Sequence, residues 1–246
     1  MRKIALVLMC VLMGMPGISL ADHFSTQIKD KYVLGKGLNI YDDPVIQRDV
    51  FVELGRGFYV DLWWSTGLDE PNLNLGNDDE VDWTTGWKGE VGGNCKLDIG
   101  IAYFDLTKIF SIEEGDVIQP FAELGRKYEL DSRHSFTPYI RAVGLVPIGW
   151  DKDARSGAHI FLGLKHDWQP CELLGVSQKF AVMYDTGTLV SSDRGFLGNY
   201  DLGLNWKVSK RATVNLPSFK LISPISDLDD GRKTQHVVGG GITFSF

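Results

Sequence analysis

Apolar and polar positions alternate strictly in several stretches of the chain after residue 22. In residues 58–65 one face carries the apolar side chains and the other carries Tyr59, Asp61, Trp63 and Ser65. A period of two predicts β-strands with one apolar face. The same clean pattern returns in residues 81–88, 96–103, 157–165 and 199–207. Weaker patterns, two of them interrupted by Pro138 and Pro217, predict further strands near residues 32–38, 44–54, 117–127, 136–146, 178–185 and 211–222.

The last stretch of the sequence, QHVVGGGITFSF, completes this set of strands. From Val238 to Phe246 every second residue is apolar or glycine, and the sequence ends on an aromatic residue of that face. In a soluble protein such a strand would form an exposed edge that needs cover. In a closed membrane barrel it would be an ordinary strand of the wall, pairing with the first strand near Tyr32. Together the segments predict about twelve strands.

The lengths of the connections between these segments also alternate. Short turns are predicted at residues 55–57, 89–94, 131–135 and 208–210, and long polar loops at 67–79, 107–116, 186–198 and 218–233. Short turns at one end and long loops at the other are typical of outer-membrane barrels. We therefore predict an all-β fold, a transmembrane antiparallel up-and-down β-barrel of about 12 strands.

The polar face of the predicted strands carries several charged side chains. Alternation alone leaves open whether this face lies on a soluble surface or in a hydrated lumen. Trp64, Trp83 and Trp206 fall near strand ends on the apolar face, as the aromatic girdles of a membrane barrel would. On the membrane interpretation, the residues predicted to line the lumen are Asp61, Lys96, Asp98, Lys165, Asp201, Asn205 and Lys207.

The N-terminus has the organisation of a secretory signal peptide. Arg2 and Lys3 precede an apolar core, and Ser19-Leu20-Ala21 forms a small-x-small cleavage site. We predict a signal peptide at residues 1–21, a single barrel domain at 22–246, and a location in the outer membrane of a Gram-negative bacterium. The formal net charge is −7, and the sequence contains no basic stripe. Both features argue against a nucleic-acid partner.

The segment from Lys31 to Asp105 resembles the N-terminal half of the TorF-type porins of proteobacteria. The similarity rests on a Tyr-x-x-x-Gly strand, a Pro-Val-x-Gln segment and a Gly-Phe-Tyr-x-x-x-Trp strand, followed by an Asp before an aromatic residue and a Gly–aromatic pair. These fall at Tyr32, Pro44, Gln47, Gly57, Phe58, Tyr59, Trp63, Asp82, Trp83, Gly86 and Trp87. Lys36, Trp83 and Trp87 depart from the family pattern. The resemblance implies an outer-membrane β-barrel, and it covers less than half of the chain.

Separately, Phe244 and Phe246 at the C-terminus resemble the signal by which the barrel-assembly machinery recognises outer-membrane proteins. Acidic residues crowd the predicted long loops, where a negative mouth would attract cations, and divalent ions could bridge it to lipopolysaccharide. These residues are Asp69, Glu70, Asp78, Asp79, Glu80, Glu113, Glu114, Asp116, Asp227, Asp229 and Asp230. None of the clusters matches an EF-hand loop, so no metal site is assigned.

Cys95 and Cys171 both fall near short turns on the periplasmic side, where a disulfide is chemically allowed. The histidines form no motif of a known catalytic or metal site, so we predict neither catalytic residues nor a cofactor. The favoured function is a channel that passes small solutes through the outer membrane. Two alternatives stay open, a lipid-modifying enzyme on the same barrel and a soluble periplasmic β-barrel that binds a ligand.

Overall fold

Twelve antiparallel strands close into a barrel in the computed structural model, which describes residues 22–34, 37–68, 80–105, 116–148, 154–189, 194–226 and 232–246. The first six strands are β1 (His23–Lys29), β2 (Val45–Gly55), β3 (Phe58–Gly67), β4 (Glu80–Glu90), β5 (Cys95–Asp105) and β6 (Asp116–Arg126). The second six are β7 (His134–Ile148), β8 (Gly157–Trp168), β9 (Leu174–Asp185), β10 (Gly195–Lys207), β11 (Ala212–Pro224) and β12 (Gln235–Ser245).

Each strand pairs with its neighbours in sequence, and β12 returns to pair with β1. In this closing pair Thr26 lies opposite Ile242, and Gln27 lies opposite Gly241. A Cβ atom on Gly241 would lie 2.0 Å from the Thr26 carbonyl oxygen, so only glycine permits this close approach of the two strands. Closure leaves the wall without a free edge.

The outward face of the barrel is apolar. Leu162 is 70% exposed, and Ile28, Ile140 and Phe180 are each about half exposed. Such a continuous apolar surface is unfavourable in water and suits contact with lipid. Outward aromatic residues form a belt near each end of the wall, with Trp64, Trp83 and Tyr103 in one belt and Trp87 and Trp206 in the other. The predicted transmembrane β-barrel is therefore confirmed.

Within the described residues no helix is long and apolar enough to cross a membrane.

The predicted alternation of loop lengths is confirmed. The six connections at one end, beginning with 30–44 between β1 and β2, each span eight or more residues, and those at the other end span two to seven. The tightest turn lies between β2 and β3, where Gly55, Arg56 and Gly57 all adopt positive φ angles. Pro217 lies at a register shift in β11, where an interrupted ladder tolerates its missing N–H.

The predicted strand near residues 32–38 is wrong as a wall strand. The first strand is His23–Lys29, and β12 pairs with it rather than with residues near Tyr32. The predicted segment belongs instead to the inner hairpin, our name for residues 30–44, in which Tyr32–Val33 pairs with Asn39–Tyr41. Its tip turns through Gly37, which has a φ of 81°.

The inner hairpin folds into the barrel. Val33 is buried in an apolar cluster with Met183, Leu197, Ile222 and Val237, which belong to β9, β10, β11 and β12. On the other side of the barrel the Tyr32 ring lies 5.7 Å from the Trp63 ring of β3, measured between centroids. The hairpin therefore contacts strands on both sides of the lumen.

Large inward aromatic residues lie over glycines of the neighbouring strand. Tyr59 faces Gly86, Phe121 faces Gly100, and Tyr139 faces Gly163, each as a directly opposite pair. A Cβ atom on any of these glycines would come within 2.4–2.7 Å of the facing ring. The missing Cβ lets each ring lie along the wall, which leaves room in the lumen.

Candidate functional site

The candidate site is the lumen itself. A cavity of about 400 Å³ lies in the barrel, and every one of the twelve strands contributes at least one lining residue, from Lys29 of β1 to Val237 of β12. Its volume lies within the range of roughly 300–1,000 Å³ that is usual for small-molecule sites. The cavity is built from inward positions that alternate with the lipid-facing ones, so the same pattern that inserts the barrel also creates the site.

Two chain segments narrow this cavity towards the end of the barrel that carries the long connections. Residues 31–34 of the inner hairpin form part of its lining. Leu189, from the connection after β9, enters an apolar cluster with Val117, Val143 and Leu145. Leu189 has a positive φ of 58° and is held by paired backbone hydrogen bonds with Arg155. The described residues thus form a constriction between the hairpin and Leu189.

One side of the lumen, which we call the acidic wall, presents Asp61 of β3 together with Glu80 and Asp82 of β4. Asp61 lies opposite Thr84, and the cross-strand partners of Glu80 and Asp82 in β3 are Ser65 and Trp63. Glu80 is only 4% exposed. One oxygen each of Asp61 and Asp82 is buried without a hydrogen-bond partner among the described residues. The Glu80 carboxylate lies beside the Tyr32 hydroxyl and Asp82. Buried carboxylates without partners are costly, which favours a functional reason for their presence.

Tyr32 of the inner hairpin lies against the acidic wall. Burial, and then the negative charges of Glu80 and Asp82, raise the pKa of Tyr32 well above its usual value. The Tyr32 phenol therefore stays protonated beside the two carboxylates. Trp63 packs against it and also lines the cavity.

The other side of the lumen, which we call the basic wall, presents Lys29 of β1, Lys179 of β9 and Lys220 of β11. Lys179 lies directly opposite Asp201 of β10, and Asp201 lies directly opposite Lys220. All four residues line the cavity. Because one carboxylate stands among three ammonium groups, this wall carries a net positive charge. In a ring of twelve strands β3 and β9 are six positions apart, so Lys179 faces the acidic wall across the lumen. Lys29 of β1 is only two strands from β3 and lines a second pocket together with Trp63.

Paired charges separate the two walls. Glu123 of β6 accepts from Lys165 and lies 3.8 Å from the Arg141 guanidinium. The ammonium groups of Lys165 and Lys179 also lie 4.8 and 5.3 Å from the centre of the Tyr139 ring, within the range of cation–π attraction. Nearer the short-turn end, the Tyr59 hydroxyl donates to Asp98 at 2.8 Å.

The seven residues predicted to line the lumen lie at different depths. Asp201 lines the main cavity, and Lys165 lines an adjoining one beside Lys179. Asn205 lies at the short-turn end in a pocket with Asp131 and Ser135. Lys96 and Lys207 are exposed near strand ends at that rim. Asp61 and Asp98 are half-buried on the inward face of β3 and β5. The inward residues that the pattern did not single out are Lys29, Asp82, Arg141, Lys179 and Lys220.

Two residues assigned to acidic loops lie in strands instead. Glu80 is the first residue of β4 and Asp116 the first of β6, and both are buried. Asp116 accepts a hydrogen bond from the Tyr103 hydroxyl. The residues of the sequence predictions that lie outside the described ranges are Asp69, Glu70, Asp78, Asp79, Glu113, Glu114, Asp227, Asp229 and Asp230, together with the predicted signal peptide at 1–21.

Cys95 and Cys171 are free thiols, so the candidate disulfide is not formed. Cys95 opens β5 and Cys171 lies in the turn before β9. At about 4.8 Å per strand, at least three strand spacings put them roughly 15 Å apart along the wall, beyond disulfide reach.

A buried network joins strands and connections at the outer rim. Asp185 lies 2.8 Å from the Arg232 guanidinium and 3.6 Å from His159 Nε2. Thr188 also contacts His159 Nε2, at 3.3 Å. Asp185 and Thr188 both contact Nε2 of the His159 ring, whereas in a nucleophile–His–Asp triad the two partners contact different ring nitrogens. The network ties the rim together. Among the described residues, no three His, Cys, Asp or Glu side chains are placed to hold a metal ion.

Comparisons with known proteins identify the fold. No protein-family model matches the chain, and no curated protein sequence matches it. A crystal structure of the NanC porin matches with a TM-score of 0.57 at 8% identity, covering 91% of this chain and 100% of that one. The KdgM porin matches with a TM-score of 0.54 at 9% identity, covering 91% and 99%. The translocator domain of the autotransporter NalP from Neisseria meningitidis matches with a TM-score of 0.50 at 10% identity, covering 100% of this chain and 95% of that one.

The chain has the fold of outer-membrane porins. The TorF-type resemblance has no match among the family models.

Proposed function

We propose that this protein is a porin-like channel that lets small solutes cross the outer membrane of a Gram-negative bacterium. The observation that carries this proposal is a cavity of about 400 Å³ that carries charged side chains and is lined by all twelve strands of an apolar-coated barrel. A water-filled cavity inside a lipid-facing wall provides a path for polar molecules. We infer no covalent chemistry, since the polar groups described above form ion pairs and lumen walls.

The outer entrance favours cations. Acidic residues are concentrated in the outer connections, and Glu80 and Asp82 lie on the lumen side directly below one of them. A negative potential at a narrow mouth raises the local concentration of cations. Divalent ions bound by the acidic loops would also link the rim to lipopolysaccharide.

The chain reaches the membrane by its N-terminal signal peptide and the barrel-assembly machinery. Phe244 and Phe246 lie at the end of the closing strand and are accessible, with Phe246 68% exposed. This position suits recognition of the C-terminus before β12 pairs with β1.

A liposome-swelling assay tests the channel. Purified protein reconstituted in liposomes should admit solutes of the size of glycine and glycerol faster than trisaccharides, because the constriction limits the lumen. Swelling rates equal to those of protein-free liposomes for every solute would contradict the proposal. Cell fractionation supplies an independent check, since recovery from the periplasm without detergent would exclude the barrel in the membrane.

A further inference from the structure

The main cavity carries opposite charges on opposite sides. Asp82 and Trp63 line it from the acidic wall, and Lys179 and Lys220 line it from the basic wall. Asp82 has an oxygen without a hydrogen-bond partner among the described residues. Asp201 lies opposite both lysines and is the other carboxylate that lines this cavity. The field across the cavity therefore runs from one wall to the other.

The separation of the walls sets the length of a molecule that could contact both. Twelve strands about 4.8 Å apart and tilted by about 40° enclose a circle roughly 24 Å across between backbones. Side chains reaching inward from both walls leave a gap of roughly 10 Å, which the inner hairpin narrows further. A molecule that bridges the gap needs its charges at the two ends of a chain of several atoms.

Part of the lining between the charged groups is apolar and aromatic, and Lys31 and Arg141 add further positive charge. Val33 of the hairpin, Phe161 of β8 and Val237 of β12 line the same cavity as the charged residues. An indole beside a carboxylate pair attracts an ammonium group both by its ring face and by the neighbouring charge. Ammonium groups on the other wall hold a carboxylate by charge-assisted hydrogen bonds.

We propose that the cavity is a binding site for a small zwitterion of the short-peptide class. Its ammonium end contacts Asp82 and Trp63, and its carboxylate end contacts Lys179 and Lys220. This deepens the proposed channel function and rests on it for its biological meaning, because the site would select which solutes traverse the lumen. A singly charged molecule satisfies one wall and leaves the other without a partner.

Calorimetric titration of the detergent-solubilised barrel tests the site with three probes of nearly equal size. Alanyl-alanine is a zwitterion, N-acetyl-alanyl-alanine is an anion, and alanyl-alanine amide is a cation. We expect alanyl-alanine to bind about tenfold more tightly than either analogue, since only it pairs with both walls. Equal affinities for the zwitterion and one analogue, or no binding of alanyl-alanine, would overturn the proposal.

Substitutions identify the ends of the bound molecule. Asp82→Asn should weaken the binding of alanyl-alanine about tenfold and leave the affinity for N-acetyl-alanyl-alanine unchanged. Lys220→Gln should weaken the binding of both of these probes and leave the affinity for alanyl-alanine amide unchanged. Lys207→Gln, at the exposed short-turn rim, is the matched control and should leave all three affinities unchanged. If Lys207→Gln weakens binding as much as Lys220→Gln does, the charge effect is general and the site is not in this cavity.

The result that contradicts the binding site differs from the result that contradicts the channel. Liposomes that swell with small solutes, from protein that gives no heat with alanyl-alanine, would contradict the site and retain the channel. Selective binding of alanyl-alanine by protein that never conducts would retain the site and contradict the channel.

Discussion

The acidic and basic walls of the lumen are both built from β-strands, and they differ in the surroundings of their charged groups. On the acidic wall, one oxygen each of Asp61 and Asp82 is buried without a hydrogen-bond partner among the described residues. On the basic wall, Lys179 and Lys220 each lie opposite Asp201 and reach the open cavity. The acidic wall therefore stores unfavourable desolvation with no opposite charge in its strands, while the charges of the basic wall are partly compensated by Asp201. The difference indicates that the acidic wall is the more tightly constrained half of the site.

The largest effect is expected from removing the element that lies between the walls. Val33→Asp places a carboxylate in the apolar cluster with Met183, Leu197 and Ile222, at a cost of about 3–5 kcal/mol to the docked hairpin. The hairpin should leave the lumen, and single-channel conductance should rise by about threefold or more as the constriction widens.

Val33→Ala is the matched control for this substitution. It weakens the same apolar contact without adding a charge, so it should change conductance far less than Val33→Asp. Unchanged conductance in a correctly folded Val33→Asp barrel would show that the hairpin does not set the width of the path.

Charge removal on each wall should shift ion selectivity in opposite directions. The double variant Asp61→Asn/Asp82→Asn should lower the cation-to-anion permeability ratio about twofold, and Lys179→Gln/Lys220→Gln should raise it by a similar factor. Reversal potentials in a salt gradient measure both. The exposed rim double variant Lys96→Gln/Lys207→Gln controls for total charge. Shifts of the same sign for the two walls would refute the separation of charge.

A smaller effect on stability should distinguish the walls further. Glu80→Gln removes a buried negative charge beside Asp82, and it should stabilise the barrel by about 1 kcal/mol in urea unfolding from lipid vesicles. Lys220→Gln, on the basic wall, should change stability by less than about 0.5 kcal/mol. Destabilisation of the barrel by Glu80→Gln would mean that the contact of this carboxylate with Tyr32 outweighs the cost of burying its charge.

The smallest effect is expected where a carboxylate lies in water, outside both walls. Asp131, in the turn before β7, accepts hydrogen bonds from the backbone N–H groups of Arg133 and His134, each at 2.7 Å. These bonds hold the pKa of Asp131 below its usual value. A lowered folded-state pKa contributes stability above the unfolded value of about 3.9, and that contribution is lost as pH falls through the folded value.

Urea midpoints of Asp131→Ala measure this contribution. The variant should be slightly less stable than the parent at pH 7 and equal to it at pH values below both pKa values. Ser132→Ala, its exposed neighbour, should match the parent at every pH. A difference between Asp131→Ala and the parent that persists at the acidic end would assign the effect to something other than the charged carboxylate.

The wall of the barrel was predictable from sequence because alternation is a local property. Leu62 and Leu162 show their lipid-facing orientation from their immediate neighbours, and the loop lengths give the two ends. The first strand was missed although Phe24, Thr26 and Ile28 alternate with polar residues, since it is short and adjoins the predicted cleavage site. The run of Tyr32, Val33 and Leu34 has strand-like composition, and no local pattern distinguishes docking into a lumen from pairing in a wall.

The grouping of charges in the candidate site was not predictable in the same way. Lys29, Lys179 and Lys220 are far apart in sequence, and they come together only through the register of β1 and of strands β9–β12. Glu80 stands beside a run of acidic residues, so its sequence context favours a loop. Its cross-strand pairing with Ser65 places it in the wall instead.

Planar-bilayer recording of the purified wild-type protein tests whether a continuous path runs through the barrel. We expect discrete steps of small conductance, with a reversal potential that favours cations in a potassium chloride gradient. We also expect larger steps from the Val33→Asp variant under the same conditions. Folded protein that inserts into the bilayer and gives no steps, both as wild type and as Val33→Asp, would contradict a continuous path through the barrel.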